Sequence, residues 1–127
     1  MPAADRPDAG AAAEARTKEQ PTLEALFDHL IAMIQGGDTD RIRIAWDAAE
    51  RSLAVRLEGE ERTQFAAMYA TRPRDVRVLM ADHTHLRWRL AQLRTTLPRP
   101  SADAVRGFVG ELRAHIQHER ALFDRSA

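Results

Sequence analysis

The chain has 127 residues, a length typical of one domain, and its 19 basic and 19 acidic side chains cancel. A neutral total gives no general attraction to nucleic acid or to an anionic membrane, and the lack of cysteine excludes disulfides, thiolate metal ligands and a cysteine nucleophile. No apolar run approaches the ~18 residues of a membrane-spanning helix, and the N-terminus lacks the pattern of a signal peptide. We therefore expect a soluble cytoplasmic protein without a membrane or nucleic-acid partner.

The N-terminal part of the chain differs in composition from the rest. Residues 1–20 are rich in alanine and contain no leucine, isoleucine, valine or aromatic residue, so a disordered tail is predicted there. Residues 21–127 are predicted to form one domain. Its first helix is expected to begin near Pro21 or Thr22 and to end at Gly36 and Gly37. The apolar side of this helix would consist of Leu23, Leu26, Phe27, Leu30, Ile31 and Ile34.

Three further helices follow from capping residues and prolines. Asp38 or Thr39 is suited to cap a long second helix, and a third is expected to start around Pro73. The sequence Leu97-Pro98-Arg99-Pro100 would end that helix, and Ser101 would begin a fourth. The second helix has an apolar face formed by Ile42, Trp46, Ala49, Leu53 and Leu57, with Phe65, Met68 and Tyr69 towards its end. No segment alternates with period two, so no strand is expected. The sequence predicts an all-α fold, an up-down-up-down antiparallel four-helix bundle.

Three polar residues interrupt the apolar faces of the last two helices. His83, His115 and Glu119 stand where steps of three and four along each helix call for leucine. The third-helix face is Val76, Leu79, His83, Leu86, Leu90, Leu93 and Leu97, and the fourth-helix face is Val105, Phe108, Leu112, His115, Glu119 and Leu122. An ionisable side chain in a core costs several kcal/mol unless it is paired or bound to a metal, so each of the three needs a partner.

Distances along the chain indicate which polar residues share a level. In antiparallel neighbours, residues equidistant from the connecting loop lie side by side. A loop centred near residue 99 places His83 opposite His115, and a loop near residue 71 places Glu60 opposite His83. A loop near residue 37 places residue 17 or 18 opposite Arg56. His29 is about 11 residues from that position, a displacement of roughly 16 Å at 1.5 Å per residue. His29 is therefore expected to lie outside the cluster.

Two stretches of the last two helices resemble a known family. Ala81-Asp82-His83-Thr84-His85-Leu86-Arg87 and Leu112-Arg113-Ala114-His115-Ile116-Gln117-His118-Glu119 resemble the third- and fourth-helix motifs of the bacterial hemerythrin-like (HHE cation-binding) family. The similarity covers most of residues 22–124. Leu57-Glu58-Gly59-Glu60-Glu61 resembles the family's second-helix motif, in which a histidine precedes paired glutamates.

The chain departs from this family at two expected ligands. Arg56 stands where the second-helix histidine belongs, and the first-helix histidine would fall near Gln20 to Thr22, where the chain has none. The resemblance implies a non-haem di-iron centre that binds or senses dioxygen, nitric oxide or iron. The matching metal ligands here are Glu60, His83, His115 and Glu119, enough for one iron, so a single-metal or vestigial site is favoured over an intact pair. Two imidazoles and two carboxylates also suit Mn(II) or Zn(II).

Arg56 has a physical interpretation of its own. It lies four residues before Glu60 on one helical face, and a guanidinium can form a forked hydrogen bond with a carboxylate. We hypothesise that Arg56 neutralises Glu60 or Glu119 where a second metal would otherwise lie.

Two other functions stay open at this stage. The polar residues can instead form a metal-free network, with a histidine pair closed by Glu119 and Arg56, in a helical interaction or regulatory module that has lost the site. An oxidoreductase acting on oxygen or peroxide is the third class. No enzymatic motif is present, so a non-enzymatic role is favoured and no catalytic residue is assigned. The sequence does not indicate an oligomeric state.

Several other polar residues are expected at the surface. His85 and His118 lie off the inward face, and Asp28 and Asp82 are interpreted as ordinary surface carboxylates. The third helix and its flanks carry an excess of arginine. A solvated face paired with acidic neighbours is favoured for these arginines over a surface that binds an acidic partner or nucleic acid.

Overall fold

A computed structural model describes residues Thr22–Arg125, which are helical apart from short connections and contain no strand. The four helices are α1, Leu23–Gly36; α2, Thr39–Glu60; α3, Pro73–Arg94; and α4, Ala102–Arg125. Helix α2 continues through a π-helical turn, Glu61–Phe65, and a last α-helical turn, Ala66–Tyr69. The prediction of an all-α chain with four helices is confirmed for this part. The predicted tail at 1–20 and the proposed start at Pro21 lie outside the described residues.

The helix ends lie close to the predicted capping residues. The Thr22 hydroxyl accepts a hydrogen bond from the backbone N–H of Ala25 at 3.1 Å, so α1 begins one residue after its cap. Gly37 ends α1 with a φ of 80°, a conformation that favours glycine. The Asp38 carboxylate caps α2, and the Ser101 hydroxyl accepts from the backbone of the first turn of α4. Local side-chain chemistry therefore sets these boundaries.

Two details of the predicted helical faces are wrong. The sequence pattern places Tyr69 with the apolar face of α2, but Tyr69 is half exposed, whereas Phe65 and Met68 are buried. Helix α3 ends at Arg94, so Leu97 lies beyond it and packs, partly buried, against the core. Neither Tyr69 nor Leu97 belongs to the group of polar residues that the sequence places in the core.

The buried side chains form two apolar clusters with polar residues between them along α3 and α4. The larger cluster includes Leu86 of α3 and Leu112 of α4, and the smaller includes Leu79 of α3 and Leu122 of α4. The four buried polar or charged residues among those described are Glu60, His83, His115 and Glu119. The polar cluster therefore lies where the apolar core is interrupted.

Cross-helix pairs fix the levels of neighbouring helices. Glu24 of α1 pairs with Arg113 of α4 at 2.6 Å, and the rings of Phe27 and Phe108 have centroids 5.6 Å apart. Arg94 of α3 pairs with Glu50 of α2.

None of the helices between Thr22 and Arg125 combines the length and apolarity needed to cross a bilayer.

Candidate metal centre

Four side chains from three helices converge in the polar cluster. Glu60 is the last residue of α2, His83 lies midway along α3, and α4 supplies His115 and Glu119 one turn apart. One nitrogen or oxygen atom of each residue lies within 4.8 Å of those of the other three. The structure thus brings together the four residues that the sequence proposed as ligands, and all four are buried.

His83 makes polar contacts through both ring nitrogens. Its Nδ1 lies 2.7 Å from Oε2 of Glu61, while its Nε2 lies 3.0 Å from Oε2 of Glu119 and 3.3 Å from Oε1 of Glu60. The ring is fully buried. Its Nε2 therefore points into the cluster and its Nδ1 points to a carboxylate outside it.

The π-helical turn of α2 explains how successive glutamates reach opposite sides of one imidazole. A π turn holds an extra residue relative to an α-helical turn, so it shifts the positions of the side chains that follow. Here the turn begins directly after Glu60, places Glu61 beside Nδ1 of His83, and returns Phe65 to the interior. The Phe65 ring lies against the His83 ring, with centroids 4.8 Å apart.

His115 has one satisfied nitrogen and one without a hydrogen bond. Its Nδ1 lies 3.2 Å from Oδ2 of Asp82, so it is assigned as the protonated nitrogen that donates to this carboxylate. Its Nε2 is then an acceptor, 2.8 Å from Oε2 of Glu119 but not aligned for a hydrogen bond. Two electron-rich atoms that face each other so closely need a cation between them, either a proton or a metal ion.

The buried atoms without hydrogen bonds concentrate in this cluster. Among the described residues, four buried side-chain atoms lack a hydrogen-bond partner, and three of them are Oε1 of Glu60, Nε2 of His115 and Oε1 of Glu119. Each such atom costs about 1–3 kcal/mol when it is left unpaired. All three are ordinary metal-ligand atoms, so the residues present fit a metal ion.

The donor set constrains the kind of metal. Two imidazole nitrogens and two carboxylates are ligands preferred by divalent iron, manganese and zinc. Bonds of about 2.1 Å allow donor atoms up to ~4.2 Å apart around one ion, so small side-chain movements from the observed separation of at most 4.8 Å would suffice.

Arg56 supplies a positive charge at the edge of the cluster. Its Nε donates to Oε2 of Glu60 at 3.1 Å, and one terminal guanidinium nitrogen lies 3.9 Å from Oε1 of Glu119. The Arg56 side chain is 39% exposed, whereas the Glu119 side chain is 2% exposed. The hypothesised contact with Glu60 is thus present, and the contact with Glu119 is longer.

The electrostatic environment separates the protonation states of these groups. Burial alone would lower the pKa of His83, but its close contacts with Glu119, Glu60 and Glu61 outweigh it and raise the pKa to about 9. Burial alone would raise the pKa of Glu119, but a proton on a facing imidazole nitrogen, Nε2 of His115 or Nε2 of His83, holds that pKa well below the usual range. Burial also raises the pKa of Glu60. At neutral pH, His83 is therefore a cation and Glu119 an anion, and a metal must displace a proton from His83.

A surface cleft lies against the His115 side of the cluster. It has a volume of about 420 Å³, and its lining includes Asp82, His85, Glu111, His115 and His118. His85 is paired with Glu111 at 3.1 Å, and Nδ1 of His118 lies 3.5 Å from Oδ2 of Asp82. Solvent in this cleft therefore reaches the carboxylate that contacts His115.

The remaining predicted polar residues divide into surface groups and one correction. His29, His85 and His118 are exposed, and His29 is not part of the cluster. Asp28 is exposed as expected. The interpretation of Asp82 as an ordinary surface carboxylate is wrong, because it contacts His115 of the next helix. Its sequence neighbour His83 lies on a different helical face, but the level that pairs positions 83 and 115 also brings position 82 close to α4.

The arginines of α3 pair with acidic neighbours. Arg87 donates to Glu61 at 2.7 Å, and Arg89 donates to Glu111 at 3.1 Å. Burial alone would raise the pKa of Glu61, but the hydrogen bonds from Arg87 and His83 outweigh it and lower that pKa. These pairs agree with a solvated helix face.

Comparison with protein-family models, curated proteins and solved structures found no match for the chain. The resemblance to the hemerythrin-like family therefore stays a prediction based on the motifs of the last three helices.

Proposed function

We propose that the protein is a hemerythrin-like metal-binding protein whose centre holds one divalent cation, iron in the first instance, through Glu60, His83, His115 and Glu119. One observation carries the proposal. Nε2 of His115 faces Oε2 of Glu119 at 2.8 Å without a hydrogen bond, while Nδ1 of the same ring is engaged by Asp82. A metal ion bonded to both atoms removes the conflict between them.

The number of cations follows from charge. The two histidines of the cluster contact four carboxylates, those of Glu60, Glu61, Asp82 and Glu119. Two guanidinium groups pair with these acids, those of Arg56 and Arg87. One divalent cation in place of the His83 proton brings the formal charge of this group to zero, and a second would leave it positive. Because uncompensated buried charge is costly, we propose a single ion.

The fold proposed for this function is an up-down-up-down antiparallel bundle. The cross-helix pairs support it, because residue numbers rise on one helix as they fall on its neighbour. Between α2 and α3, Glu50 pairs with Arg94 and Glu61 with Arg87. Between α3 and α4 the corresponding pairs are His83 with Glu119 and Arg89 with Glu111. In such bundles, carboxylates and histidines from facing helices form metal sites in the core.

The physiological role that we propose is binding or sensing of dioxygen, nitric oxide or iron. A bound ion would supply a Lewis-acidic centre whose remaining coordination positions accept water or a small ligand. The cleft against Asp82 and His115 offers such ligands a route to the edge of the site. The lack of cysteine fits a reducing cytoplasm, where we propose that the protein acts.

A metal-free interaction or regulatory module is the second candidate. It is favoured by the cations already present, since Arg56 pairs with Glu60, and His83 with its raised pKa faces three glutamates. In that case the cluster is an ion-pair network that specifies the packing of the helices.

Metal content decides between the two candidates. We expect chelator-treated protein reloaded with Fe(II) under anaerobic conditions to retain one ion per chain after desalting, as measured by elemental analysis. His115→Ala should reduce retention to background because it removes a ligand, whereas His118→Ala, an exposed histidine of the same helix, should retain the ion. Background retention by the unmodified protein, or equal retention by His115→Ala, would favour the metal-free module.

A further inference from the structure

Both histidines of the centre present one nitrogen to the cluster and the other to a carboxylate that is not itself a candidate ligand. His83 directs Nδ1 to Glu61 at 2.7 Å, and His115 directs Nδ1 to Asp82 at 3.2 Å. A neutral imidazole has one N–H donor and one lone pair, and the group that accepts the N–H decides which nitrogen keeps the lone pair.

We propose that Asp82 and Glu61 are positioning residues for the metal. By accepting the Nδ1 protons they hold both imidazoles in the tautomer and ring orientation that point the Nε2 lone pairs at the ion. The inference rests on the proposed metal-binding function and adds two residues to it. Carboxylates in this role raise the basicity of a histidine ligand and increase metal affinity.

Asp82 has the clearer effect because His115 has no other hydrogen bond in the described part of the chain. It reaches from α3 across to α4, although its sequence neighbour His83 points into the centre. Its other close polar contact is His118, at 3.5 Å on the solvent side of the cleft. If Asp82 is removed, the His115 ring can rotate, and its Nδ1 and Nε2 become equivalent choices for the proton.

Glu61 is held more firmly than Asp82. The Arg87 guanidinium donates to the same Oε2 atom that contacts His83, at 2.7 Å, and the π-helical turn fixes the backbone of Glu61. Its side chain is 21% exposed, against 39% for Asp82. Glu61 is therefore the more firmly held of the two positioning residues, and Asp82 is the more exposed to solvent.

Zn(II) affinity, measured by competition with a chromophoric chelator, tests the proposal. Asp82→Ala should weaken binding about 10- to 100-fold, because His115 loses its orienting acceptor. Asp82→Asn should recover most of the affinity, since the amide oxygen still accepts from Nδ1. The matched control His118→Ala leaves the Asp82–His115 contact in place and should stay within about twofold of the unmodified protein.

A spectroscopic readout separates positioning from a general effect on packing. In Zn(II)-loaded protein labelled with ¹⁵N-histidine, long-range ¹H–¹⁵N spectra should show His115 and His83 with protonated Nδ1 and metal-bound Nε2. In Asp82→Ala the His115 signals should change and those of His83 should stay. Glu61→Gln, compared with Glu61→Ala, gives the same test for His83.

The outcomes distinguish this inference from the function on which it depends. If the unmodified protein binds no Zn(II), the proposed function and the inference fail together. If it binds Zn(II) and Asp82→Ala binds equally well with unchanged His115 signals, only the positioning role is overturned.

Discussion

Helices α3 and α4 carry two groups of histidine and glutamate that differ chiefly in burial. In the buried group, His83 faces Glu119 at 3.0 Å, with the side chains 0% and 2% exposed. In the other, His85 faces Glu111 at 3.1 Å, with the side chains 57% and 38% exposed. Residue type and distance are nearly the same. Exclusion from water leaves the ligand atoms of the first group without alternative partners, and this makes that group the candidate metal centre.

The largest effect on stability is expected when the buried glutamate is neutralised, and the exposed glutamate of the other group provides the matched control. Glu119→Gln removes the carboxylate that faces His83, His115 and Arg56, so the buried, protonated His83 loses one of its hydrogen-bonded ion-pair partners. The free energy of unfolding of the metal-free protein should fall by about 3–5 kcal/mol, as measured by urea denaturation. The matched variant Glu111→Gln should cost less than about 1 kcal/mol, because water replaces its partners. Equal losses in both variants would remove the distinction drawn from burial.

The second largest effect is expected when the free energy of unfolding is measured as a function of pH. The pKa of His83 is about 9 in the folded protein against an ordinary value of 6.5, so the protonated ring stabilises the folded chain. This contribution is complete below pH 6.5 and is lost as pH rises through 9; its full size is about 3 kcal/mol. Urea denaturation of chelator-treated protein between pH 6 and 10 should show the decline. His83→Gln should flatten the curve, and a stability that is constant or rises from pH 6.5 to 9 would refute the assignment.

The smallest of these effects on stability is expected at Arg56. Its side chain lies at the edge of the buried group and is 39% exposed. Because water screens its ion pair with Glu60, Arg56→His should change the free energy of unfolding by no more than about 1 kcal/mol. The same variant removes a fixed cation from beside Glu60 and Glu119 and adds an imidazole. If Arg56 replaces a second metal, elemental analysis of the iron-loaded variant should show more than one ion per chain. Unchanged stoichiometry would mean that Arg56 is not what limits the site to one ion.

Much of the helical framework follows from local rules. Thr22, Asp38, Pro73 and Ser101 mark helix starts because their side chains or ring suit the first turn, and Gly37 ends α1 through its positive φ. The convergence of the four candidate ligands also followed from spacing, since residues equidistant from a short loop share a level in neighbouring helices.

The parts that sequence reasoning missed depend on geometry between or within helices. The step of five residues from Glu60 to Phe65 breaks the rhythm of three and four, and the structure absorbs the extra residue in the π-helical turn. That turn gives Glu61 its contact with His83. The contact of Asp82 with His115 depends on how closely α3 and α4 approach, which the apolar pattern of either helix alone does not specify.

A crystal structure of the Zn(II)-loaded protein, with anomalous scattering data at the zinc edge, tests directly whether the buried cluster is a metal centre. One strong anomalous peak per chain is expected inside the bundle. It should lie about 2.0–2.2 Å from Nε2 of His83 and His115 and from a carboxylate oxygen of Glu60 and Glu119. Zinc found solely at the exposed His85 and Glu111 pair, or no peak within the bundle, would contradict the claim that the buried cluster is a metal centre.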